Sequence, residues 1–274
     1  MKKISGGDRV DWKIIVVRVI LKVILAILLL GFGSNILIRT ISYSFYKGNK
    51  NKSEVTISPH KLTYAENLTG YGYNLENESD SVILCFGGSF YVAYNTVGMF
   101  APYYDTPFLS VDYYGTQESK GKMNLKTMKA SAEGLYDYVV QKYSGRKIII
   151  IGHSYGCGMA AYLASVRECS HLYLASGYRD LADIYNKIMP IFWGPLKIFI
   201  SDNMDIKSYA EKTTCPVTVI GSEKDKTLSS KLQGKVAECY KNATLKIFDD
   251  IEHEHYLKDE RVVSLIKASL TDNN

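Results

Sequence analysis

Three residues spread along this 274-residue chain could together activate a hydroxyl for attack on a carbonyl: Ser154, Asp225 and His253. Ser154 lies in Gly152-His153-Ser154-Tyr155-Gly156. The β-branched run Ile148 to Ile151 precedes it, and the small residues Cys157 to Ala161 follow. A buried strand, a G-x-S-x-G turn and a small-residue helix make up a nucleophile-elbow pattern. Gly152 and Gly156 lack a Cβ, so strand and helix can approach closely there. The N-terminus of the helix beneath the serine presents N–H groups and a positive dipole end, which favour a developing oxyanion. A chance Gly/Ser turn is the plainer alternative. A serine hydroxyl is a poor nucleophile at neutral pH, so it needs a base and a third group orienting that base. Asp225 stands just past the apolar run Pro216 to Ile220, and His253 just past Leu245 to Phe248. The chain order is then serine, acid, histidine. Glu223 is the alternative acid, but Asp225 has the usual offset after the glycine. Asp249 and Asp250 lie too close to the histidine strand. His253 is preferred to His255, which is expected to support it or to face solvent. A surface turn at Asp225 and a surface pair at His253 and His255 are the bland alternatives.

An activated serine also needs donors for the oxyanion. Ser81 to Phe86 is a continuous apolar run suited to a strand buried on both faces. Gly87-Gly88-Ser89 follows at once, and a glycine pair there lets the backbone turn its N–H groups toward a ligand. The backbone N–H groups of Ser89 and Tyr155 are the expected donors, with an ordinary strand-ending turn as the alternative.

The elements that must hold these residues alternate. Phe108 to Asp112 reads as a strand, Thr127 to Tyr143 has helical spacing, and the elbow strand comes next. His171 to Ser176 is another strand, with His171 read as structural. The last helix is expected from Asp259 to Leu270. Val55 to Ile57 and Lys61 to Tyr64 could be short edge strands, and Tyr71 to Asn74 resembles a turn. Strand-helix alternation at this pace predicts an α/β class with parallel βαβ units and helices on both faces of the sheet. Residues 177–213 break the alternation and are expected as a small cap. Its Phe192, Trp193 and Phe199 could line an acyl pocket, touch a bilayer, or simply pack the cap.

The N-terminus differs in character. Residues 1–13 form a basic arm with Lys2, Lys3, Arg9 and Lys13. Residues 14–38 are strongly apolar, with Arg18 and Lys22 only in their first third. That is long enough for one transmembrane anchor, and the two cations can snorkel to an interface. A cleaved signal peptide is the rival, with small residues at Gly31, Gly33 and Ser34. Residues 39–54 are expected as a linker, and 55–274 as the globular domain. Lys and Arg are densest before the apolar core. The positive-inside rule then favours a single-pass protein with its domain on the non-cytoplasmic side. The net charge of +5 comes from dispersed basic residues without a nucleic-acid motif. Cys85, Cys157, Cys169, Cys215 and Cys239 show no metal-ligand spacing, and Cys85 and Cys157 read as small buried residues. Asn51, Asn67, Asn77 and Asn242 head N-x-S/T triplets, which matter only in a eukaryotic secretory route.

The stretch from Ser81 to Leu270 resembles the α/β-hydrolase-fold serine hydrolases. More narrowly, it resembles the membrane-anchored α/β-hydrolase-domain proteins with a short cap. The residues that carry this are Phe86-Gly87-Gly88, Asp112-Tyr113-Tyr114-Gly115 with Ser119 and Gly121, the Gly152–Gly156 elbow, Pro216 through Asp225, and His253. The resemblance implies an α/β-hydrolase fold with a mostly parallel eight-stranded sheet. It also implies a Ser-His-Asp triad working without metal or organic cofactor on esters, lipids, thioesters or amides. The family usually carries His-Gly after the oxyanion strand, where this chain has Gly87-Gly88. The expectation is a membrane-anchored serine hydrolase of carboxylic (thio)ester or lipid acyl bonds. Its rivals are an acyltransferase or peptidase with the same triad, and a non-catalytic interaction protein on the same fold.

Overall fold

The structure is a computed structural model, and it describes residues 12–50, 55–90, 92–187 and 190–271. Most of the basic arm at 1–13, the end of the linker, and Asn51 lie outside the described residues. The chain opens with helix α1 (Trp12–Phe45) and then forms β1 (His60–Ala65), β2 (Leu68–Tyr73), β3 (Ser81–Phe86), α2 (Ala93–Phe100) and β4 (Phe108–Val111). Next come α3 (Leu125–Lys142), β5 (Lys147–His153), α4 (Cys157–Val166), β6 (His171–Ala175), α5 (Leu181–Tyr185) and α6 (Ile206–Ala210). The last elements are β7 (Val217–Ser222), α7 (Ser230–Ala237), β8 (Ala243–Phe248) and α8 (Glu260–Thr271).

The eight strands form one sheet in the order β1-β2-β4-β3-β5-β6-β7-β8. β2 runs antiparallel to β1 and β4, and the pairings from β4 through β8 are parallel. Every residue of β3 is buried, because both faces of the sheet are covered. Val82, Leu84 and Phe86 share a core with α3, α4 and α7, while Ile83 and Cys85 share the opposite core with α2 and α8. Cys85 and Cys157 are both fully buried, which suits their reading as small apolar residues.

Register decides where the chemistry sits. Phe86 pairs with Gly152, His153 with Ala175, and Ser222 with Phe248. The carboxyl ends of β3, β5, β6, β7 and β8 are therefore level. The segments just after them meet along one edge of the sheet, the place where open α/β sheets bind ligands.

Three segments differ from expectation. Val55 to Ile57 is not a strand. Tyr71 to Tyr73, read as part of a turn, belongs to β2. Its glycines mimic a turn signal but serve close packing: a Cβ on Gly70 would run into the Ser110 carbonyl, and one on Gly72 would come within 2.7 Å of Leu75. Residues 39–45, expected as linker, continue α1, and Ile38 and Tyr46 are buried in the main core. One face of this stretch is held on the globular domain, where Ser42 and Tyr46 find partners, while Arg39, Thr40 and Ser44 stay exposed. Residues 177–213 leave the sheet and return as α5, a 3-10 turn (Gly194–Phe199) and α6.

His171 stacks on Tyr173 at 4.3 Å, and its Nε2 lies 2.9 Å from the Thr218 hydroxyl. Burial pulls its pKa from 6.5 down to about 4. The unfolded chain takes up this proton near pH 6.5 and the folded chain only near pH 4. The stabilisation by neutral His171 is therefore complete above about pH 6.5 and is lost as pH falls toward 4. His171→Gln is expected to flatten this acid limb: its melting temperature should drop less than that of wild type between about pH 7 and 4.5 in a calorimetric pH series. Equal slopes would show that His171 does not carry the effect.

Candidate active site

The turn after β5 is governed by how closely backbone can approach backbone. A Cβ on Gly152 would lie 2.6 Å from Cys157 Cα, and one on Gly156 would collide with the Phe86 and Gly87 carbonyls. Only glycine allows α4 to start this near β5 and β3. The chain makes the turn at Ser154, which takes φ 51°, a left-handed conformation costly for a residue with a side chain. The surrounding packing holds that strain, and Ser154 is only 6% exposed.

The structure brings Ser154, His253 and Asp225 together from the ends of three strands. Ser154 Oγ lies 2.9 Å from His253 Nε2, and His253 Nδ1 lies 2.9 Å from Asp225 Oδ2. Asp225 is 3% exposed. Its Oδ1 accepts the Thr227 and Leu228 backbone N–H groups at 2.8 and 3.0 Å. Its Oδ2 also accepts the hydroxyls of Ser176 at 2.6 Å and Tyr256 at 3.1 Å. Burial alone would push this carboxyl up. The bonds from His253, Ser176 and Leu228 outweigh burial and hold its pKa well below the usual carboxylate range. Asp225 is thus an anion, positioned to hold a proton on His253 Nδ1 and leave Nε2 as acceptor for the serine hydroxyl.

The other candidates sit elsewhere. Glu223, Asp249 and Asp250 are exposed, and exposed His255 leans toward Glu252 at 3.7 Å. Gly88 packs against the serine, since a Cβ on it would lie 3.2 Å from Ser154 Cβ. Ser89, the next residue, is exposed at the rim of the site, and Phe90 follows at φ 60°. A cavity of about 200 Å³ runs behind this loop, lined by Gly87 to Phe90, Met99, His153 and Glu254 among others. Asp112 steadies the far end of the loop by accepting the Ala93 N–H at 2.9 Å. Tyr155 is buried and fixed by its neighbours. Its hydroxyl meets that of Tyr185 at 3.1 Å, and its carbonyl accepts the Tyr178 hydroxyl at 3.1 Å. From α1, Phe45 and Tyr46 pack edge-on against Tyr155 at 5.5 and 5.4 Å, and Phe45 also meets Phe90 at 6.1 Å.

Sequence reasoning missed Ser176, Tyr256 and the role of His153. Ser176 follows β6 directly, so the same strand-end logic that found Ser154, Asp225 and His253 could have found it. Its φ of 52° turns it into the site, where its Oγ also lies 3.1 Å from His253 Nδ1. His153 Nε2 donates to the His253 carbonyl at 2.7 Å and so pins the histidine loop onto the elbow. Burial, then the electrostatic effect of the adjacent His253 imidazole, lowers the His153 pKa to about 4, so it is neutral at pH 7. Among the described residues, no group of three His, Cys, Asp or Glu is arranged to hold a metal ion.

Ser176→Ala removes one donor to the anion while leaving the others. We expect the protein to fold and the reactivity of Ser154 toward a fluorophosphonate to fall about tenfold, the equivalent of one charge-assisted hydrogen bond of ~1.4 kcal/mol. An unchanged labelling rate would show that Ser176 does not tune the site.

Comparison with known proteins bears on the fold that carries these residues. A family model for the α/β hydrolase fold matches residues 82–195, a segment that includes the elbow but neither Asp225 nor His253. No curated protein matches the chain in sequence. Among solved structures, the esterase Pf2001 of Pyrococcus furiosus is 18% identical, with a TM-score of 0.62 over 82% of this chain and 94% of its own. Est1E of Butyrivibrio proteoclasticus is 14% identical, with a TM-score of 0.60 over 79% of this chain and 100% of its own. The acylaminoacyl peptidase of Pyrococcus horikoshii is 14% identical, with a TM-score of 0.58 over 79% of this chain but only 42% of its own. With its strand order, its glycine-framed turn after β5 and these likenesses, the chain has the α/β-hydrolase fold.

Proposed function

We propose that the protein is a membrane-anchored serine hydrolase that cleaves carboxylic ester, thioester or lipid acyl bonds through an acyl-enzyme. The observation that carries this is the unbroken hydrogen-bonded series Asp225–His253–Ser154, closed at its far end by a buried anion. His253 Nε2 takes the hydroxyl proton as Ser154 Oγ bonds to the acyl carbon. The backbone N–H groups of Ser89 and Tyr155 receive the oxyanion. The imidazolium, stabilised by Asp225, gives its proton to the leaving oxygen or sulfur as that bond breaks. Water, deprotonated in turn by His253, then releases the acid and restores Ser154. No metal or organic cofactor takes part in this scheme.

The domain division follows the same reading: a basic arm at 1–13, an anchor beginning near residue 14, and a hydrolase domain from about 55 with its cap at 177–213. Helix α1 is long and apolar enough to cross a membrane. Its burial of Ser34, Ile38 and Ser42 against the domain favours a retained anchor over a cleaved signal, since cleavage near Gly31 to Ser34 would split a packed helix. The excess of Lys and Arg ahead of the apolar core favours a domain on the non-cytoplasmic side. The esterases among the structural likenesses favour ester bonds, whereas the acylaminoacyl peptidase keeps amide cleavage as the second reading.

The test is labelling of the membrane fraction with a fluorophosphonate. Wild type is expected to label, while Ser154→Ala and His253→Ala should not. Asp225→Asn is expected to lower esterase kcat by roughly ten-thousand-fold, as loss of the orienting acid does in triads of this kind. Label retained in Ser154→Ala would place the nucleophile elsewhere, and an unlabelled, folded wild type would favour a non-catalytic role.

A further inference from the structure

The cap and α1 are fastened together along one stripe. Helix α1 buries only Gly31, Ser34, Ile38 and Ser42, at spacings of three and four residues, and is exposed on all sides before Gly31. Gly31 lies against the Phe199 ring, so a Cβ there would collide with it. Asn35 Nδ2 donates to the Phe199 carbonyl at 2.5 Å. Farther along, Tyr43 donates to Asp202 at 3.0 Å, and the Ser42 hydroxyl meets that of Tyr185. Cap and helix therefore share one depth.

Charge sets that depth. Hydrocarbon about 30 Å thick needs about 20 helical residues. The chain carries no charge between Lys22 and Arg39. A span over Val19 to Ile38 leaves Arg18 and Arg39 at the two boundaries and lets Lys22 snorkel outward. Sliding the helix until the cap clears the bilayer would instead drag Arg18 and Lys22 into hydrocarbon, where an unpaired charge is expensive. With Arg39 at the boundary, Gly31 lies about 12 Å inside it at 1.5 Å per residue. The cap residues that touch Gly31 and Asn35 must lie inside as well.

The cap surface suits such a place. Ile198 is 83% exposed and Trp193 62% exposed, and on α1 the residues flanking Gly31, Leu30 and Phe32, are 69% and 66% exposed. The Trp193 indole N–H is already satisfied by the Pro190 carbonyl at 3.0 Å. Lys197, the charged residue of this turn, is paired with Asp180 at 2.5 Å. On the other side of Arg39, α1 reaches Phe45 after about 9 Å, and Phe45 packs on Tyr155, next to Ser154. The serine then stands at the height of the headgroups, where a lipid carries its ester bonds.

We infer that the 3-10 turn Gly194–Phe199 of the cap, with Trp193, is seated in the acyl region of the leaflet that α1 enters, and that the substrate is an acyl lipid of that same leaflet. This rests on the proposed anchoring and deepens the proposed hydrolase function. Phe90, 63% exposed, packs on Phe45, which packs on Tyr155 beside Ser154, and the two phenylalanines offer an apolar path from the leaflet to Ser154. A soluble ester would have to approach the same mouth from the headgroup region.

The chain has two tryptophans, so Trp12→Phe leaves Trp193 as the sole indole reporter. The full-length variant is reconstituted into phosphatidylcholine vesicles with or without bromine on the upper acyl chain. Brominated lipid is expected to quench Trp193 about twofold or more, as it would an indole held 5–10 Å below the headgroups, and aqueous acrylamide to quench it little. Emission indifferent to brominated lipid but open to acrylamide would overturn the inference. Fluorophosphonate labelling of the same sample separates the two proposals. Label without lipid quenching sinks the seat and keeps the hydrolase; quenching without label keeps the seat and sinks the substrate. As a second variant, Ile198→Asp puts a charge on the exposed cap face. It is expected to lower hydrolysis of a vesicle phospholipid relative to a water-soluble short-chain ester by about tenfold, as a charge forced toward hydrocarbon would. An unchanged ratio would count against a lipid supplied by the leaflet.

Discussion

Close approach of backbone to backbone at the carboxyl end of β5 is the constraint from which the rest follows. Gly156 lies against the carbonyls of Phe86 and Gly87, and Gly152 against Cys157. No side chain fits at either point. The chain can turn from strand to helix only by placing Ser154 in a left-handed conformation. The turn is affordable because it is buried between two cores that cover the sheet on both faces. Loosening either core would relax the turn and swing the serine away from His253. The stability of the sheet and the geometry of the site are therefore one property rather than two.

The second constraint is electrostatic. Asp225 is a carboxylate removed from water, which would favour its neutral form unless the lost hydration is replaced. Five donors replace it: two backbone N–H groups, two hydroxyls and His253. The hydroxyls come from either side of β7, Ser176 after β6 and Tyr256 after β8. The carboxylate thus ties together the loops after three strands and leaves His253 little freedom to rotate. His153 reinforces this from the elbow side through the His253 carbonyl. The proposed hydrolase would thus have its site ordered before any substrate arrives, the condition under which fixed dipoles lower a barrier most.

Helix α1 joins this arrangement rather than merely tethering it. A tether would need no more than a flexible stretch after the apolar run. Here the helix continues into the core, with Ile38 and Tyr46 buried and Phe45 against Tyr155. The residue after the proposed nucleophile is thus packed by the segment that leads out of the apolar span. Orientation of the site relative to α1 is set by packing, and any membrane crossed by α1 meets the domain at one angle and one depth.

Much of the fold could be read from the chain because periodicity and strand ends are local signals. The apolar run Ser81 to Phe86, the elbow at Gly152 to Gly156 and the spacing of Met128, Ala132, Leu135 and Val139 announce their elements without help from distant residues. The order of Ser154, Asp225 and His253, each just past a strand, needed only the assumption of a parallel sheet. Other features were hidden because their causes are not local. Tyr71 and Gly72 look like turn residues, yet they belong to strand β2 because β1 and β4 pair with it on either side, and Leu75 and Leu62 crowd the position where a side chain on Gly72 would stand. Ser176 and Tyr256 look like any serine or tyrosine until register brings them to the Asp225 carboxylate. Residues 39–45 read as polar linker because their partners, Tyr185 and Asp202, lie far along the chain. By itself the sequence determined the α/β class, the turn that raises Ser154 and the apolar character of the N-terminus, since each depends on near neighbours. Only the tertiary structure decided what anchors the acid and how the N-terminal helix meets the cap, because those contacts join residues that only folding brings within bonding distance.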